Sequence, residues 1–345
     1  MVPSVSWVLT RRFDPYDAVA CARAHDVLVA GKSLGRPWHH PPSVAESVLE
    51  WRHDDPGERT EMWEAVTHGL VVGIGTIWLT LDDNVEKAWV EVVVDPAHRR
   101  RGAARALTER LVSRAREAGR TEVLTEVVVP PGCQEGDGHP YLHCAEALGF
   151  ATTSTDVERH LRLPVDPPLL NVLEAQARPH WEQGYRLATY HEGVPEHLQE
   201  GLCAVMNRLG VDAPTGEVSY EPESLTPRRY LDNVQLLVDQ GRSLLTTVAA
   251  AVATGDVVAY TDLALPAAPN PVAWQWGTLV DAAHRGHRLG MAVKVANLRV
   301  RNRDHPGREL VVTSNDETNR WMVDVNDALG FEMVELVPTM RRMLP

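Results

Sequence analysis

The sequence predicts an α/β (α+β) protein made of two tandem domains that share one architecture, and three observations carry that expectation. The chain has 345 residues, more than the roughly 100 to 200 of a single domain, so each half is long enough to bury its own core. Val94, Arg99, Ala104 and Leu107 recur as Val280, Arg285, Gly290 and Val293, each displaced by 186 positions, and Gly149-Phe150 recurs as Gly330-Phe331 after 181. A fixed displacement, with a five-residue deletion between the two hallmarks, marks an internal repeat. Hydrophobic periodicity then gives the same order of elements, βααβββαβαβ, in both halves. The expected divisions are 1–163, a linker over 164–184, and 185–345.

In the first half WVLT at 7–10 reads as a strand, and Asp14-Pro15 supplies an N-cap and a first-turn proline for a helix reaching about Gly31. Ser43, with Glu46 three residues on, is a capping box that opens a second helix. Residues 60–67 and GLVVGIGTIWLT at 69–80 form a hairpin, followed by the strand AWVEVVV at 88–94. Leu107, Leu111 and Ala115 lie at i, i+4 spacing in a helix over 102–118, and EVLTEVVV at 122–129 returns as a strand.

The second half repeats this order with YRLATY at 185–190, a helix from about Pro195, and Thr226-Pro227 opening another. Strands at 243–253, 257–265 and 272–280 precede a helix near 287–303, a strand at 310–313 and a helix near 318–329. LPVDPP at 163–168 and RPHWEQG at 178–184 bracket a short helical pattern and so mark the linker.

Composition narrows the function classes. Apolar residues make up 44% and charged residues 23% of the chain, and no stretch approaches the ~20 uncharged apolar residues of a membrane span. A water-soluble protein without a membrane partner is expected. The N-terminal MVPSVSWVLTRRFDP lacks the basic, apolar and small-residue regions of an export signal, so the expected location is cytoplasmic. Cys21, Cys133, Cys144 and Cys203 form no CxxC pair, which fits reduced, mostly buried thiols. A formal charge of −13 argues against nucleic acid as a partner and suits attraction of a cationic amine. Gly31-Lys32-Ser33 lacks the earlier glycine of a phosphate-binding loop, Asp26 standing there, and Gly73-Ile74-Gly75 lies inside a strand. His39-His40 has no HExxH or cysteine companions, so no metal is expected.

The chemistry-bearing segment is VVVDPAHRRRGAARALTERL: a strand, a proline stop, three arginines, then small residues opening a helix. A helix N-terminus leaves N–H groups free and carries partial positive charge, which favours a phosphate or pyrophosphate. Small residues at 102, 103 and 104 keep Cβ atoms away from such a ligand. The run Arg99-x-x-Gly102-x-Ala104 resembles the R/Q-x-x-G-x-G/A motif of the GNAT superfamily of N-acetyltransferases, and LGF at 148–150 and 329–331 resembles a second family hallmark. TLVDAAHRGHRLGMAVK is similar in register, with Arg288 in the first small-residue slot, and its HRGHRLG run is similar to actinobacterial members. The resemblance covers roughly 1–163 and 185–345, and tandem copies occur in the superfamily.

That resemblance implies, for each half, a mixed, mostly antiparallel sheet flanked by helices, with acetyl-CoA or coenzyme A as co-substrate and a small-molecule amine as acceptor. It places the coenzyme along Val94, Arg99, Arg100, Arg101, Gly102, Ala103 and Ala104 in the first half. In the second half the corresponding stretch is Val280, Arg285, Gly286, His287, Arg288, Leu289 and Gly290, joined by Asn315 and Asn319 beside the pantetheine and pyrophosphate arm. Taken singly, each Asn reads equally well as an edge turn or a helix cap.

Acyl transfer to an amine needs a proton taken from a group whose pKa is near ~10, and a polarised thioester carbonyl. Glu91 occupies the position of the family's frequent carboxylate base, and its counterpart is Gly277, which has no side chain to act; Asp262, Glu221, Glu223 and His284 are the alternatives in that half. Many members place a Tyr four residues before the Gly-Phe pair as general acid; here those slots hold Ala145 and Asn326, and Tyr141 lies one helical turn before Ala145. Glu91, Asn326 and Tyr141 are therefore the catalytic candidates. The first half keeps the better cradle and a possible base, the second the Asn pair, and the balance leans to the second half as the transfer site. Trp274 and Trp276 alternate on one strand, where packing is the commoner role and lining an acceptor cleft the other. The competing function is a protein that binds acyl-coenzyme A without turnover, for sensing or assembly, as a monomer or homodimer. A carrier-protein or aminoacyl-tRNA donor ranks below both, the latter opposed by the acidic charge.

Overall fold

The computed structural model describes residues 8–130, 139–267 and 269–345. Its chain order is β1 (Leu9–Arg12), α1 (Ala18–Ser33), α2 (Val44–Arg52), β2 (Glu58–Thr67), β3 (Leu70–Thr80), β4 (Lys87–Val94), α3 (Ala103–Glu117), β5 (Glu122–Glu126), α4 (Pro140–Ala147) and β6 (Ala151–Arg162). After α5 (Pro167–Trp181) the order returns as β7 (Tyr185–His191), α6 (Glu196–Met206), a short α7 (Leu209–Asp212), α8 (Pro227–Asp239), β8 (Ser243–Ala251), β9 (Val257–Leu265), β10 (Val272–Val280), α9 (Leu289–Asp304), β11 (Leu310–Asp316), α10 (Arg320–Leu329) and β12 (Glu332–Met343). Apart from α5 and α7, the second half repeats the first element for element, as the 186-residue displacement predicts. The first helix starts later than its sequence signal: Asp17 caps it through the amides of Val19 and Ala20, while Asp14 accepts from the Tyr16 amide in a turn. The capping box at Ser43 and Glu46 and the Thr226 cap are both formed.

Two compact units result, one of residues 1–154 with 337–345, the other of 155–336. They do not follow the divisions read in chain order. The last strand of each repeat is exchanged: β12 pairs antiparallel with β5 from Thr339/Glu126 to Met343/Glu122, and β6 pairs antiparallel with β11 from Leu310/Arg162 to Asp316/Asp156. The first unit's sheet runs β1-β2-β3-β4-β5 and then the end of β12; the second runs β6-β11-β10-β9-β8-β7. In each, one parallel pair, β4 with β5 and β10 with β11, interrupts otherwise antiparallel neighbours. Most of 164–184 is helix. Helix α5, opened by Pro167, seats Leu170 and Leu173 in the second unit's core with Leu298 of α9.

Helices cover both sheet faces. In the first unit Ile74 faces the α1 cluster with Phe13, Ala24 and Val27, whereas Gly73 and Gly75 turn to the other side, within 3.2 Å of Leu107 were each given a Cβ. A Cβ on Gly31 would overlap the Val93 methyl, so this glycine lets α1 lie close on β4 and has nothing to do with a phosphate loop. In the second unit Leu202, Tyr230 and Val234 from α6 and α8 pack on Val248 and Tyr260, while Val295 and Leu298 of α9 pack on Leu245 and Leu263 from the opposite face. Cys21 and Cys203 are buried and free, burial pushing the Cys203 thiol up to about 11, so they serve as packing groups. Cys133 lies outside the described residues. Among the described residues no helix is long and apolar enough to cross a membrane, and no group of His, Cys, Asp and Glu is placed to hold a metal ion.

Candidate functional site

In both units the parallel strand pair opens into a wedge. β4 pairs with β5 only from Lys87/Glu122 to Trp89/Leu124, although β4 continues to Val94. β10 pairs with β11 only from Val272/Leu310 to Trp274/Val312, although the two strands continue to Val280 and Asp316. The second wedge has an extra feature. The register of β10 against β9 shifts between Gln275 and Thr278, so Trp276 and Gly277 form a bulge, whereas β4 keeps an unbroken register against β3. A bulge turns backbone groups out of the ladder and frees them for a ligand.

Each wedge is followed by the same turn. Asp95 and Asp281 cap a single 3-10 turn through the amides of Ala97 and Ala283. Arg99 and Arg285 then point Nε back to the carbonyls of Val94 and Val280, at 3.5 and 3.2 Å. The next residues hold left-handed backbone at two equivalent places: Arg100 (φ 62°) and Gly102 (φ 90°) in the first copy, Gly286 (φ 85°) and Arg288 (φ 53°) in the second. Each copy places one glycine and one arginine in these positions, in opposite order. No side chain caps α3 or α9, and the first intrahelical bonds come from Ala106 to Gly102 and from Ala292 to Arg288. The amides of Ala103, Ala104 and Arg105, and of Leu289, Gly290 and Met291, therefore lack an intrahelical acceptor, and with the positive helix end they form an anion cradle.

Arginine side chains surround both cradles: Arg100, Arg101 and Arg288 are exposed, as is His287. Arg285 is held by Asp212 at 2.8 Å, and Arg99 donates to the Tyr141 hydroxyl at 3.0 Å with its guanidinium 4.9 Å from that ring's centre. Tyr141 thus acts on Arg99 and lies with the cradle. Behind the second cradle a hollow of about 330 Å³ is lined by His180, Tyr185, His284 and His287. His284 Nδ1 lies 3.0 Å from the Tyr185 hydroxyl and His287 Nδ1 lies 3.2 Å from the His180 carbonyl.

The remaining candidates fall in different surroundings. Glu91 on β4 forms an ion pair with Lys32 of α1 at 2.8 Å, both side chains about one third exposed, so one carboxylate oxygen is already engaged. Asn319 caps α10 through the Met322 amide. Asn315 and Asn326 are brought together: Asn326 Nδ2 donates to Asn315 Oδ1 at 2.9 Å, and Asn326 is fully buried. Trp274 and Trp276 are not core residues. The two residues stay 40% and 44% exposed beside the β10 bulge.

Gly277 has a structural reason. A Cβ there would overlap the Tyr260 hydroxyl and lie 3.0 Å from Tyr260 Cζ, so the phenol leaves no room for a side chain at this position. Gly277→Ala is expected to lower unfolding stability by about 1–3 kcal/mol through overpacking, read from the urea midpoint.

Four buried groups of the second unit, Asp262, Tyr230, Tyr260 and Lys294, do not stand out as a set in the sequence. Asp262 is fully buried, its carboxylate accepts from the Thr246 hydroxyl at 2.6 Å, and burial pushes it up to about 7. Burial first, then the Asp262 charge, hold the phenols of Tyr230 and Tyr260 above their ordinary range. Glu221 and Glu223 sit on the exposed stretch before α8. Lys294 on α9 is 2% exposed, and burial brings its ammonium down to about 7. The one signal for it was a lysine inside the apolar run MAVKVANL.

Residues 26–150 match the Acetyltransferase (GNAT) family. Over its whole length the chain is similar to a solved tandem GNAT protein from the clavulanic acid biosynthesis pathway, determined without AcCoA, at 27% identity, TM-score 0.77 and 98% coverage of both chains. It is also similar in fold to a GCN5-related N-acetyltransferase from Sphaerobacter thermophilus, at 16% identity and TM-score 0.67, covering 99% of this chain and 97% of that one. No curated protein sequence matches.

Proposed function

We propose that this chain, a tandem GNAT protein, is an acyl-coenzyme-A-dependent N-acyltransferase that moves an acetyl group directly to a primary amine of a small molecule. The single observation that carries this reading is the twofold occurrence of an uncapped helix start beside a strand pair that parts after three residues. The residues present suit the coenzyme: bare amides and arginines for the pyrophosphate, and a parted strand pair for the arm. The coenzyme supplies the thioester acyl group. The chain's part is to hold it, to polarise its carbonyl with backbone N–H groups freed at the wedge, and to admit a neutral amine.

The second unit is the better transfer site. It alone has the bulge at Trp276 and Gly277 and the buried Asn pair, whereas Glu91 of the first unit is engaged by Lys32. Exposed Trp274 and Trp276 beside the bulge suit an acceptor with an apolar or planar part, and the relative's pathway supports an amine of specialised metabolism. A second reading, acyl-coenzyme A binding without turnover, draws on Gly277 and Asn326, which leave the second wedge without the expected base and acid side chains.

Single-turnover thiol release from acetyl-CoA with a panel of primary amines tests both. Release that depends on the amine supports transfer; binding without such release supports the second reading. No uptake of coenzyme A overturns both.

A further inference from the structure

Lys294 belongs to the second unit but neither to its cradle nor to its bulge. Its ammonium donates to Asn326 Oδ1 at 2.8 Å and stands 5.5 Å from the centre of the Phe331 ring. Asn326 Nδ2 then donates to Asn315 Oδ1 at 2.9 Å, and Asn315 Nδ2 donates to the Asp316 carbonyl at 3.0 Å. The three side chains come from α9, α10 and β11, and each is at least nine-tenths buried.

The chain has a compulsory direction. In its charged form, which holds below about pH 7, Lys294 can only donate, so Asn326 then turns its oxygen toward Lys294 and its NH2 toward Asn315. Asn315 must in turn face its oxygen inward and its NH2 outward. Asn315 lies three residues past Val312, where β11 parts from β10, and so on a strand bordering the wedge. One of its N–H groups goes to Asp316; the other makes no hydrogen bond among the described residues. The first unit has Thr108, Val127 and Ala145 at the corresponding positions, by the matching registers of β5 on β12 and of β11 on β6, so it lacks the whole arrangement.

We propose that Lys294 is a positioning residue of the second unit: acting through Asn326, it locks the Asn315 amide with its N–H groups outward, as a fixed donor to an acceptor oxygen of the ligand in the wedge. The proposal rests on the reading of that wedge as the coenzyme site.

The test titrates coenzyme A into the full chain carrying Ala104→Asp, which fills the first cradle with a carboxylate and leaves the second to be measured. On this parent, Asn326→Asp keeps an acceptor for Lys294 but cannot donate to Asn315, whose amide must then turn over. Asn315→Asp keeps the bond to Asn326 but cannot donate outward. Both are expected to weaken coenzyme A binding by about tenfold, the equivalent of one hydrogen bond, and Lys294→Met by about three- to tenfold as the amides lose their enforced orientation. Asn326→Asp is expected to melt no lower than the parent, which a role in packing alone does not predict. Binding within twofold of the parent for Asn326→Asp, or losses that follow melting temperature across the set, overturns the proposal. A parent that takes up no coenzyme A overturns the reading of the site itself, and the proposal with it.

Discussion

Gly290→Asp is expected to abolish coenzyme A uptake at the second cradle, weakening it by about 100-fold or more, while the protein melts no earlier than wild type. Gly290 is the second residue of α9, and its nearest non-local neighbour would be Val280 Cγ2, 3.8 Å from an added Cβ, so a side chain fits. An aspartate in a first helical turn interacts favourably with the helix dipole, by about 0.3–1 kcal/mol, and replacing glycine within a helix adds about 0.5–1 kcal/mol. The same carboxylate occupies the free amides and repels a pyrophosphate. Two lost charge-assisted hydrogen bonds at about 1.5–3 kcal/mol each account for the loss of affinity. Opposite signs for stability and binding separate a ligand site from a structural turn. Ala104→Asp is the matched change in α3, 186 positions earlier. Calorimetry is expected to find two equivalents of coenzyme A on the wild type and one on each single variant. Two equivalents on Gly290→Asp would remove the second cradle from the account.

How far the sequence carried the fold depended on the range of the interaction that decided each feature. The cradle is local: a strand end, a stop and a run of small residues encode it within about a dozen positions, so it was visible twice. The element order was visible too, because helix and strand periodicities are local patterns. The exchange of β6 and β12 was not. Alternation along a strand fixes which face a residue takes but carries no statement about which strand lies beside it. Two repeats with interchangeable last strands therefore gave no warning that 337–345 closes the first unit.

The polar interior of the second unit was hidden for a related reason. Asp262 and Lys294 each sit in an apolar run, where a single charged residue reads as surface unless its neighbours in space are known. Gly277 was legible as a missing base, yet its cause, the Tyr260 hydroxyl from the neighbouring strand, is a cross-strand contact. Arg99 and Tyr141, 42 positions apart, show the same limit. Helix spacing relates Tyr141 to Ala145, while its hydroxyl is committed to the cradle arginine.

The stability of the second unit is expected to pass through a minimum near pH 7. Asp262 has a carboxyl raised from 3.8 to about 7 by burial, so between those values the folded chain binds more protons than the unfolded one. Stability therefore falls as pH rises toward 7. Lys294 has an ammonium lowered from 10.5 to about 7, so above 7 the unfolded chain binds more protons and stability rises toward about 10. At about 1.4 kcal/mol per pH unit of displacement, each limb amounts to roughly 3–5 kcal/mol, enough to dominate a domain whose total is of order 10. Urea unfolding at intervals from pH 5 to 9 reads the curve. Glu58 of the first unit, also raised to about 7 by burial and by Asp55 and Asp54, adds to the falling limb only, so two substitutions assign the arms. Asp262→Asn is expected to flatten the curve below pH 7 and Lys294→Met to flatten it above, each raising stability at pH 7. A monotonic profile across this range, unchanged by either substitution, would show that these two groups titrate at their ordinary values.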